Sequence, residues 1–324
     1  MRVLITGGAG FIGGHIADRL VAEGRAVEIL DDLSTGKRGN VPPGAVLREI
    51  DLRDPAGVAR VVADFAPDVV CHQAAQASVA VSVREPALDA EVNIIGTLNL
   101  LRVCAANAVK RVVFASTGGA IYGEIPEGGR AAVGALPAPA SPYAASKMAA
   151  ESYLEVFRQQ RGLDYTILRY ANVYGLRQDP HGEAGVVAVF ASRLLSGAPI
   201  QINARRDVGD EGCIRDYVHV DDVVAANLAA LRGEIAARVV NVGAGVGTST
   251  LELAKILARA TAGRSQFTFA PRRPGDLERS VLEPSPEAPC DVSLEDGLHR
   301  TVAWFRESHA EIQAPGTRST PSHR

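Results

Sequence analysis

A glycine-rich turn directly after the first apolar segment constrains this chain more than any other feature. The apolar run Val3–Ile5 is followed by glycines at every third position, Gly7, Gly10 and Gly13. In this spacing the first glycine permits a tight turn, the second lets the backbone approach a phosphate, and the third lets the next helix pack on the sheet. The first helical residues, Phe11 and Ile12, would then point backbone N–H groups at an anion. The segment therefore predicts a strand–turn–helix unit that binds a dinucleotide pyrophosphate.

The first half of the chain alternates short β-branched runs with longer helical patterns. The runs predict strands at Val3–Thr6, Val27–Leu30, Val69–His72, Val112–Ser116 and Thr166–Arg169. Parallel strands joined by crossover helices have this pattern, so we predict an α/β fold with a doubly wound parallel sheet of the Rossmann type.

Beyond Arg169 the pattern changes to Gly-, Pro- and Arg-rich segments between short elements. Further helices are predicted near Val186–Ser196, Asp222–Arg232 and Leu251–Ala262. We therefore expect a smaller, interleaved α/β substrate-binding lobe. The expected divisions are 1–170 for the dinucleotide-binding domain, 171–310 for the lobe, with some segments returning to the first domain, and 311–324 for a disordered tail.

Composition excludes several classes of partner. The net charge of the 324 residues is −3, which gives no electrostatic reason to expect nucleic acid or an anionic membrane surface. No segment approaches the roughly 20 apolar residues needed to span a bilayer, and the N-terminus lacks a signal peptide pattern. The four cysteines are far apart in the sequence, so we expect no metal site and a location in the reducing cytoplasm.

Asp31 lies at the end of the second predicted strand, eighteen positions after Gly13. An acidic side chain at this point accepts the hydroxyls of the adenosine ribose and repels a 2′-phosphate. We therefore expect NAD rather than NADP as the cofactor. Lys37 and Arg38 lie close by in the sequence and weigh against that choice.

Tyr143 and Lys147 lie one helical turn apart on a predicted helix. A free tyrosine titrates near pH 10, which is too high for a base at neutral pH. A nearby ammonium, together with a positive nicotinamide ring, would favour the phenolate. In a dinucleotide-binding fold this pair predicts a tyrosine that removes a proton from a substrate hydroxyl.

These residues belong to a set of motifs that resembles the extended short-chain dehydrogenase/reductase family, and within it the nucleotide-sugar epimerases. The resemblance extends from Met1 to about Arg306. It depends on the Thr6–Gly13 turn, Asp31-Asp32-Leu33, His72-Gln73-Ala74-Ala75, Asn93 with Gly96-Thr97, Ser116-Thr117, Tyr143 to Lys147, Arg169-Tyr170 with Asn172, Arg215-Asp216-Tyr217, and Arg273 with Gly275-Asp276.

The resemblance implies positions for both ligands. Residues expected to contact NAD, besides the glycine turn, are Asp31, Asp32, Asp51, Leu52, Gln73, Ala74, Ala75, Asn93, Ser116, Tyr143, Lys147 and Tyr170. Residues expected to contact a nucleoside-diphosphate sugar are Thr117, Tyr143, Asn172, Val186, Val187, Arg215, Arg273 and Asp276. Two arginines suit a diphosphate, and a carboxylate suits ribose hydroxyls.

The implied reaction is 4-epimerisation of a nucleotide sugar, with UDP-glucose and UDP-galactose as the first expectation. Tyr143 would remove the proton from the sugar hydroxyl while hydride passes to tightly bound NAD, and the transient 4-keto sugar would be reduced on its opposite face. Alternatives are a 4-epimerase of a UDP-hexuronic acid or UDP-N-acetylhexosamine, another nucleotide-sugar-modifying member of the family, and an NAD-sensing regulatory protein without turnover.

Two departures from the family pattern matter. The dehydratases of the family carry an Asp-Glu pair after the threonine, whereas Gly118-Gly119 stands here, which favours plain epimerisation. The usual catalytic hydroxyl also falls on Gly118, so Thr117 is expected to replace it, with Ser116 as the alternative. The segment between Asp276 and Leu294 is shorter than usual and is expected to lack a helix. A homodimer is expected through the helices at Leu98–Ala105 and Ala149–Phe157.

Overall fold

The computed structural model describes residues 1–181, 185–262, 266–273 and 275–313. Its strands are β1 (Arg2–Thr6), β2 (Ala26–Asp31), β3 (Ala45–Glu49), β4 (Val69–His72), β5 (Arg111–Thr117), β6 (Asp164–Tyr170), β7 (Asn172–Tyr174), β8 (Ile200–Asn203), β9 (Ile214–His219), β10 (Val239–Val242), β11 (Gly247–Ser249), β12 (Phe267–Ala270) and β13 (Arg279–Ser280). Its α-helices are α1 (Phe11–Ala22), α2 (Pro55–Phe65), α3 (Val79–Arg84), α4 (Pro86–Ala90), α5 (Thr97–Ala106), α6 (Gly118–Ile121), α7 (Pro142–Arg161), α8 (Val186–Leu195), α9 (Val220–Arg232), α10 (Thr250–Thr261) and α11 (Leu294–Gln313).

Within this described part of the chain, a seven-stranded sheet has the order β10-β6-β5-β4-β1-β2-β3. All of its neighbouring strands pair in parallel. The direction of winding reverses between β1 and β4, and in such sheets ligands bind in the crevice outside the carboxyl ends of the strands at that point. The predicted doubly wound α/β fold is confirmed, and its crevice lies where the glycine turn leaves β1.

Alternation along β1 places apolar side chains on both faces of the sheet. Val3 and Ile5 pack with Ile16 of α1 and with α9 in one core, whereas Leu4 packs with Leu100 of α5 in the other. The second core also takes in the buried faces of α2 and α7. Because both faces are covered, the strands read as continuous apolar runs, as parallel strands usually do.

Two strands of the large sheet were not predicted from the sequence. β3 is an edge strand that keeps several side chains exposed, so its apolar pattern is weak. β10 lies in the region predicted to form the lobe, yet it pairs with β6, and α9 before it packs on β4, β5 and β6. The chain therefore returns to the large sheet after having left it for the lobe.

Among the described residues, two small sheets and a third apolar core lie outside the large sheet. β9 pairs with β7, β11 and β13, and β8 pairs with β12. A third apolar cluster joins α8, α10 and α11 through residues such as Phe190, Leu257 and Phe305. Residues 275–293 contain β13 and no helix, as expected. α11 continues to Gln313, past the predicted start of the tail, and the rest of that tail (314–324) lies outside the described residues.

Candidate active site

The glycine turn is shaped by contacts that leave no room for side chains. Gly7 has a φ of +69°, and a Cβ on it would lie 2.6 Å from the backbone nitrogen of Ala74. A Cβ on Gly13 would lie 2.2 Å from the carbonyl oxygen of Gly7, and one on Gly10 would lie 3.1 Å from the same oxygen. Helix α1 starts directly after this turn and no side chain caps it. Its first N–H groups are therefore available to an anion, as dinucleotide binding requires.

Asp31 ends β2 beside this turn, as predicted. Its carboxylate accepts hydrogen bonds from the backbone N–H groups of Ala9 and Leu33, each at 2.9 Å. Burial raises its pKa, and the two backbone hydrogen bonds oppose that shift. Each oxygen keeps a lone pair for a further hydrogen bond. Asp31 thus holds the glycine turn and can also accept ribose hydroxyls.

The basic residues near Asp31 are engaged elsewhere. Lys37 forms an ion pair with Asp179 at 2.6 Å, and Arg38 forms one with Glu49. These contacts draw both cations toward other carboxylates, which removes the sequence argument for a 2′-phosphate. Asp32 is exposed and accepts hydrogen bonds from Ser34.

Asp51 and Leu52, both expected to contact NAD, differ in their surroundings. The Asp51 carboxylate is held by Arg53, which lowers the Asp51 pKa. Leu52 is buried, and its carbonyl oxygen accepts a hydrogen bond from Asn99 at 3.0 Å. The backbone of this segment is therefore fixed against α5.

The segment after β4 packs directly on the glycine turn. Ala74 lies against Gly7, and the N–H of Ala74 donates to the Thr6 hydroxyl at 3.3 Å. The Gln73 amide donates to Asn227 at 3.0 Å and to the Tyr170 hydroxyl at 3.3 Å. Ala75 follows in the same half-buried segment. Gln73 and Tyr170 thus form one polar cluster with Asn227, a residue that the sequence reasoning missed.

Asn93, which is expected to contact NAD, is held by several hydrogen bonds within the protein. It lies in a π-helical turn (Glu91–Gly96), and its side chain is buried. Its amide oxygen accepts from the Gln76 N–H, and its amide nitrogen donates to the Gln76 carbonyl, Asp89 and Ser146. Asn93 thereby fastens the segment after β4 to helix α7.

Tyr143 and Lys147 occupy the first turns of α7, which begins at Pro142 with Ser141 as its N-cap. The hydroxyl of Thr117 at the end of β5 lies close enough to the Tyr143 phenol to lower its pKa. Lys147 is buried, donates to the Ala115 carbonyl at 2.9 Å, and lies 4.7 Å from the centroid of the Phe114 ring. The Tyr143 phenol, the Thr117 hydroxyl and the Lys147 ammonium therefore lie close together at the carboxyl end of β5.

Burial dominates the acid–base properties of this group. It raises the pKa of Tyr143 to about 12, with a further rise from the charge of Asp89 and a decrease from the Thr117 hydrogen bond. Burial lowers the pKa of Lys147 to about 8, against the opposing charges of Asp89 and Glu151. The protein alone therefore leaves the phenol protonated at neutral pH, and the lower pKa expected beside Lys147 requires a further positive charge.

The surroundings of Ser116 and Gly118 indicate whether the Ser116 or the Thr117 hydroxyl faces Tyr143. Ser116 is buried and donates to Glu151 at 2.5 Å, so it is turned away from the phenol. A Cβ at Gly118 would lie 2.5 Å from the Leu282 side chain and 3.2 Å from the Arg169 carbonyl oxygen, so a larger residue here would have to displace Leu282. Of the two hydroxyls, the one that acts on the Tyr143 phenol is therefore that of Thr117.

The expected nucleotide residues lie in the small lobe. Arg273, Gly275 and Asp276 line an open cavity of about 360 Å³, together with Ala140, Arg272 and Leu277. The charges of Arg215, Asp276 and Arg272 all act on the pKa of the Cys213 thiol, which indicates that these groups lie near one another. This clustering of arginines and a carboxylate suits a diphosphate and sugar hydroxyls.

The remaining expected residues lie on β7 and α8. Asn172 of β7 donates to the Asp216 carbonyl at 3.0 Å. Val186 begins α8 after Gly185, without a side-chain cap, and leaves backbone N–H groups available. The Val187 side chain is buried in the lobe core. Only the backbone of Val187 is therefore open to a ligand.

Two residues that act on this site were absent from the sequence-based set. Asp89 of α4 contributes negative charge to both Tyr143 and Lys147, and Glu151 contributes it to Lys147. The spacing 143, 147, 151 carries a signal for Glu151, since residues four apart share a helix face. Asp89 has no such signal because another helix brings it close.

The described part of the chain offers neither a cluster of metal ligands nor a membrane-spanning helix. Among residues 1–181, 185–262, 266–273 and 275–313, the acidic, histidine and cysteine side chains form no group that could hold a metal ion. In the same ranges, helices long and apolar enough to cross a bilayer are absent.

Comparison with known proteins agrees with this geometry. A family model described as the NAD dependent epimerase/dehydratase family matches residues 3–243. A UDP-glucose 4-epimerase of Mycolicibacterium smegmatis is 42% identical over 323 residues, covering 94% of this chain and 99% of that protein. The crystal structure of Thermus thermophilus UDP-glucose 4-epimerase in complex with NAD is similar with a TM-score of 0.91 and 54% identity, covering 94% of this chain and 99% of the other.

The Thermotoga maritima UDP-glucose 4-epimerase structure with UDP-glucose is similar with a TM-score of 0.89 and 44% identity, over 95% of this chain and 100% of that one. These likenesses confirm the resemblance drawn from the motifs. With its doubly wound sheet, its uncapped glycine turn and its tyrosine–lysine helix, the chain belongs to the NAD dependent epimerase/dehydratase family.

Proposed function

We propose that the chain is an NAD-dependent nucleotide-sugar 4-epimerase that interconverts UDP-glucose and UDP-galactose. The observation that carries the proposal is the Tyr143 phenol beside the Thr117 hydroxyl, one helical turn from buried Lys147, in the crevice of a dinucleotide-binding sheet. The UDP-glucose 4-epimerases to which the chain is similar over nearly its whole length support the choice of substrate.

The residues at the glycine turn fit NAD. The turn brings backbone so close that a Cβ on Gly13 has no space, and α1 offers uncapped N–H groups where a pyrophosphate would lie. The Asp31 carboxylate is fixed by two backbone N–H groups and still has lone pairs for ribose hydroxyls. When bound, NAD supplies a hydride acceptor and a positive nicotinamide ring.

Tyr143 is the base and then the acid of the reaction. It takes the proton of the sugar C4 hydroxyl as the C4–H bond is broken, and it returns the proton when hydride is delivered to the opposite face of the 4-keto sugar. Thr117 donates a hydrogen bond that stabilises the phenolate, which its lowering effect on the Tyr143 pKa already supports. Lys147, with a pKa of about 8, carries positive charge at pH 7 and favours the same phenolate.

Epimerisation is favoured over dehydration because elimination of water needs an acid beside the threonine. Gly118 and Gly119 stand there, and Leu282 fills the space next to Gly118. The nucleotide diphosphate is held by Arg215 and Arg273, with Asp276 accepting hydroxyls, while the sugar turns over.

A homodimer is the proposed assembly. Ile95 lies just before α5, and Met148, Tyr153 and Val156 lie on α7; all four side chains are exposed. Apolar side chains exposed at helical spacing on neighbouring helices favour an interface between copies of the chain. The free cysteines, of which Cys71, Cys104 and Cys213 are buried, favour the cytoplasm as the location.

The test is to incubate the purified protein with UDP-galactose and separate the products by anion-exchange chromatography. Conversion to UDP-glucose without added NAD, in protein that releases NAD on denaturation, is the expected result. Protein that contains NAD but converts no UDP-hexose would refute the proposal and favour the NAD-sensing alternative. Parallel assays with a UDP-hexuronic acid and a UDP-N-acetylhexosamine identify the preferred sugar.

A further inference from the structure

Helix α7 is tied to strand β5 at three consecutive strand residues. The ties are two hydrogen bonds, from Lys147 to the Ala115 carbonyl at 2.9 Å and from Ser116 to Glu151 at 2.5 Å, and the approach of the Thr117 hydroxyl to the Tyr143 phenol. Each helical partner lies four residues from the next, so one face of the helix meets one end of the strand. Two of these ties involve groups that the proposed reaction uses, whereas the tie through Glu151 has no chemical role of its own.

Glu151 also forms an ion pair with Arg169 of β6. Both residues are almost fully buried, at 8% and 7% exposure. The guanidinium donates from Nε to one carboxylate oxygen at 3.0 Å and from Nη2 to the other at 2.5 Å. Its Nη1 donates to the Tyr122 hydroxyl at 2.7 Å and to the Val133 carbonyl at 3.2 Å. This bidentate contact fixes the direction of the carboxylate as well as its charge.

We propose that Glu151, held by Arg169, is a positioning residue that keeps helix α7 in place on strand β5, so that the Tyr143 phenol stays on the Thr117 hydroxyl. The inference rests on the proposed epimerase function. A buried ion pair adds little stability compared with an apolar pair of the same volume, but it can specify a single geometry. A displacement of about 1 Å in an active site can lower the rate by about 100-fold.

Glu151 also contributes to the charge of Lys147. The groups that face this ammonium are Asp89 from α4, Glu151 on its own helix, the Phe114 ring and Ala115 carbonyl of β5, and His72 of β4, which burial keeps neutral. Arg169 lies behind Glu151 and is balanced by it. Removing the negative charge of Glu151 therefore makes the Lys147 ammonium less stable.

The experiment compares three variants of the full-length protein loaded with NAD. Glu151→Gln keeps the shape of the side chain and removes its charge. Ser116→Ala removes one tie and leaves the ion pair intact. Asp164→Asn is the matched control, because Asp164 and Arg111 pair at 2.8 Å between the same two strands, β6 and β5, at the opposite end of the sheet.

In Glu151→Gln we expect kcat to fall about 10-fold, with KM and NAD content unchanged. The basic limb of its kcat–pH profile should move to lower pH, which a purely structural role would not cause. Ser116→Ala should lower kcat about 3-fold without moving that limb, and Asp164→Asn should behave as wild type. Amide hydrogen exchange in the first turns of α7 should accelerate in the first two variants only.

Glu151→Gln with wild-type kcat and an unmoved limb would overturn the inference. The inference would also be overturned if the activity of Glu151→Gln fell only in proportion to lost NAD or lost folded protein while Ser116→Ala stayed fully active. A wild-type protein without turnover would instead refute the proposed function, and the exchange rates would still report whether Glu151 ties the helix to the strand.

Discussion

The glycine turn offers the sharpest prediction because its contacts are with backbone atoms that cannot move aside. In Gly13→Ala the new Cβ would lie 2.2 Å from the Gly7 carbonyl oxygen and 2.8 Å from the Gly8 Cα. Ordinary contacts of this kind exceed 3.0 Å. Helix α1 must therefore move away from the turn by about 1 Å, and overpacking of this kind costs about 2–3 kcal/mol.

Two measurable losses follow from that displacement. For a chain of this size the stability loss lowers Tm by roughly 3–4 °C. The first N–H groups of α1 also move away from the pyrophosphate, and the loss of two charge-assisted hydrogen bonds of about 1.5 kcal/mol each weakens NAD binding about 100-fold. The assays are thermal unfolding followed by circular dichroism and titration of NAD-free protein by calorimetry.

Gly134→Ala is the matched control. Gly134 has no neighbour within 4 Å of the position of a Cβ, so we expect Tm and NAD affinity to stay at wild-type values. Full NAD affinity in Gly13→Ala would refute the reasoning, because it would mean that α1 can move without disturbing the cofactor site.

Four further outcomes test the rest of the site. Tyr143→Phe should lower kcat by about 100-fold or more while NAD content and nucleotide binding persist, and unchanged turnover would remove the proposed mechanism. Thr117→Val should lower kcat about 10-fold and shift the acidic limb of the pH profile upward, because the hydrogen bond that lowers the Tyr143 pKa is lost. Arg215→Ala should weaken binding of UDP, measured by calorimetry, by about 10-fold or more with NAD content intact, and loss of NAD there would contradict the assignment of the lobe. His72 is buried, and burial lowers its pKa from 6.5 to about 3. The unfolded chain therefore binds an extra proton at low pH, and stability falls as the pH drops below 6.5, by about 2 kcal/mol at pH 5. His72→Asn should lose less stability over that interval in denaturant titrations.

Local hydrophobic patterns in the sequence predicted much of the large sheet. Nearly continuous apolar runs predicted β1, β2, β4, β5 and β6, because strands buried on both faces are apolar at most positions. β3 escaped prediction because an edge strand needs only a partial apolar pattern, and β10 escaped because its partner, β6, lies far away in the sequence. Strand pairing over such distances has no local signal.

The candidate site divides in the same way. The spacing alone predicted that Tyr143 and Lys147 lie close together, since residues four apart share one face of a helix. It could not tell Thr117 from Ser116, because that choice depends on Glu151, which attracts the serine hydroxyl, and on Leu282, which fills the space at Gly118.

By itself, the sequence determined the α/β class, the dinucleotide turn and the tyrosine–lysine helix, because each follows from periodicity or from the steric limits of glycine within one short segment. The tertiary structure alone decided the acid–base state of the site. The Tyr143 pKa of about 12 and the Lys147 pKa of about 8 arise from burial and from the charge of Asp89 on another helix. Desolvation and Coulomb interactions depend on distances in space, which no spacing along the chain specifies.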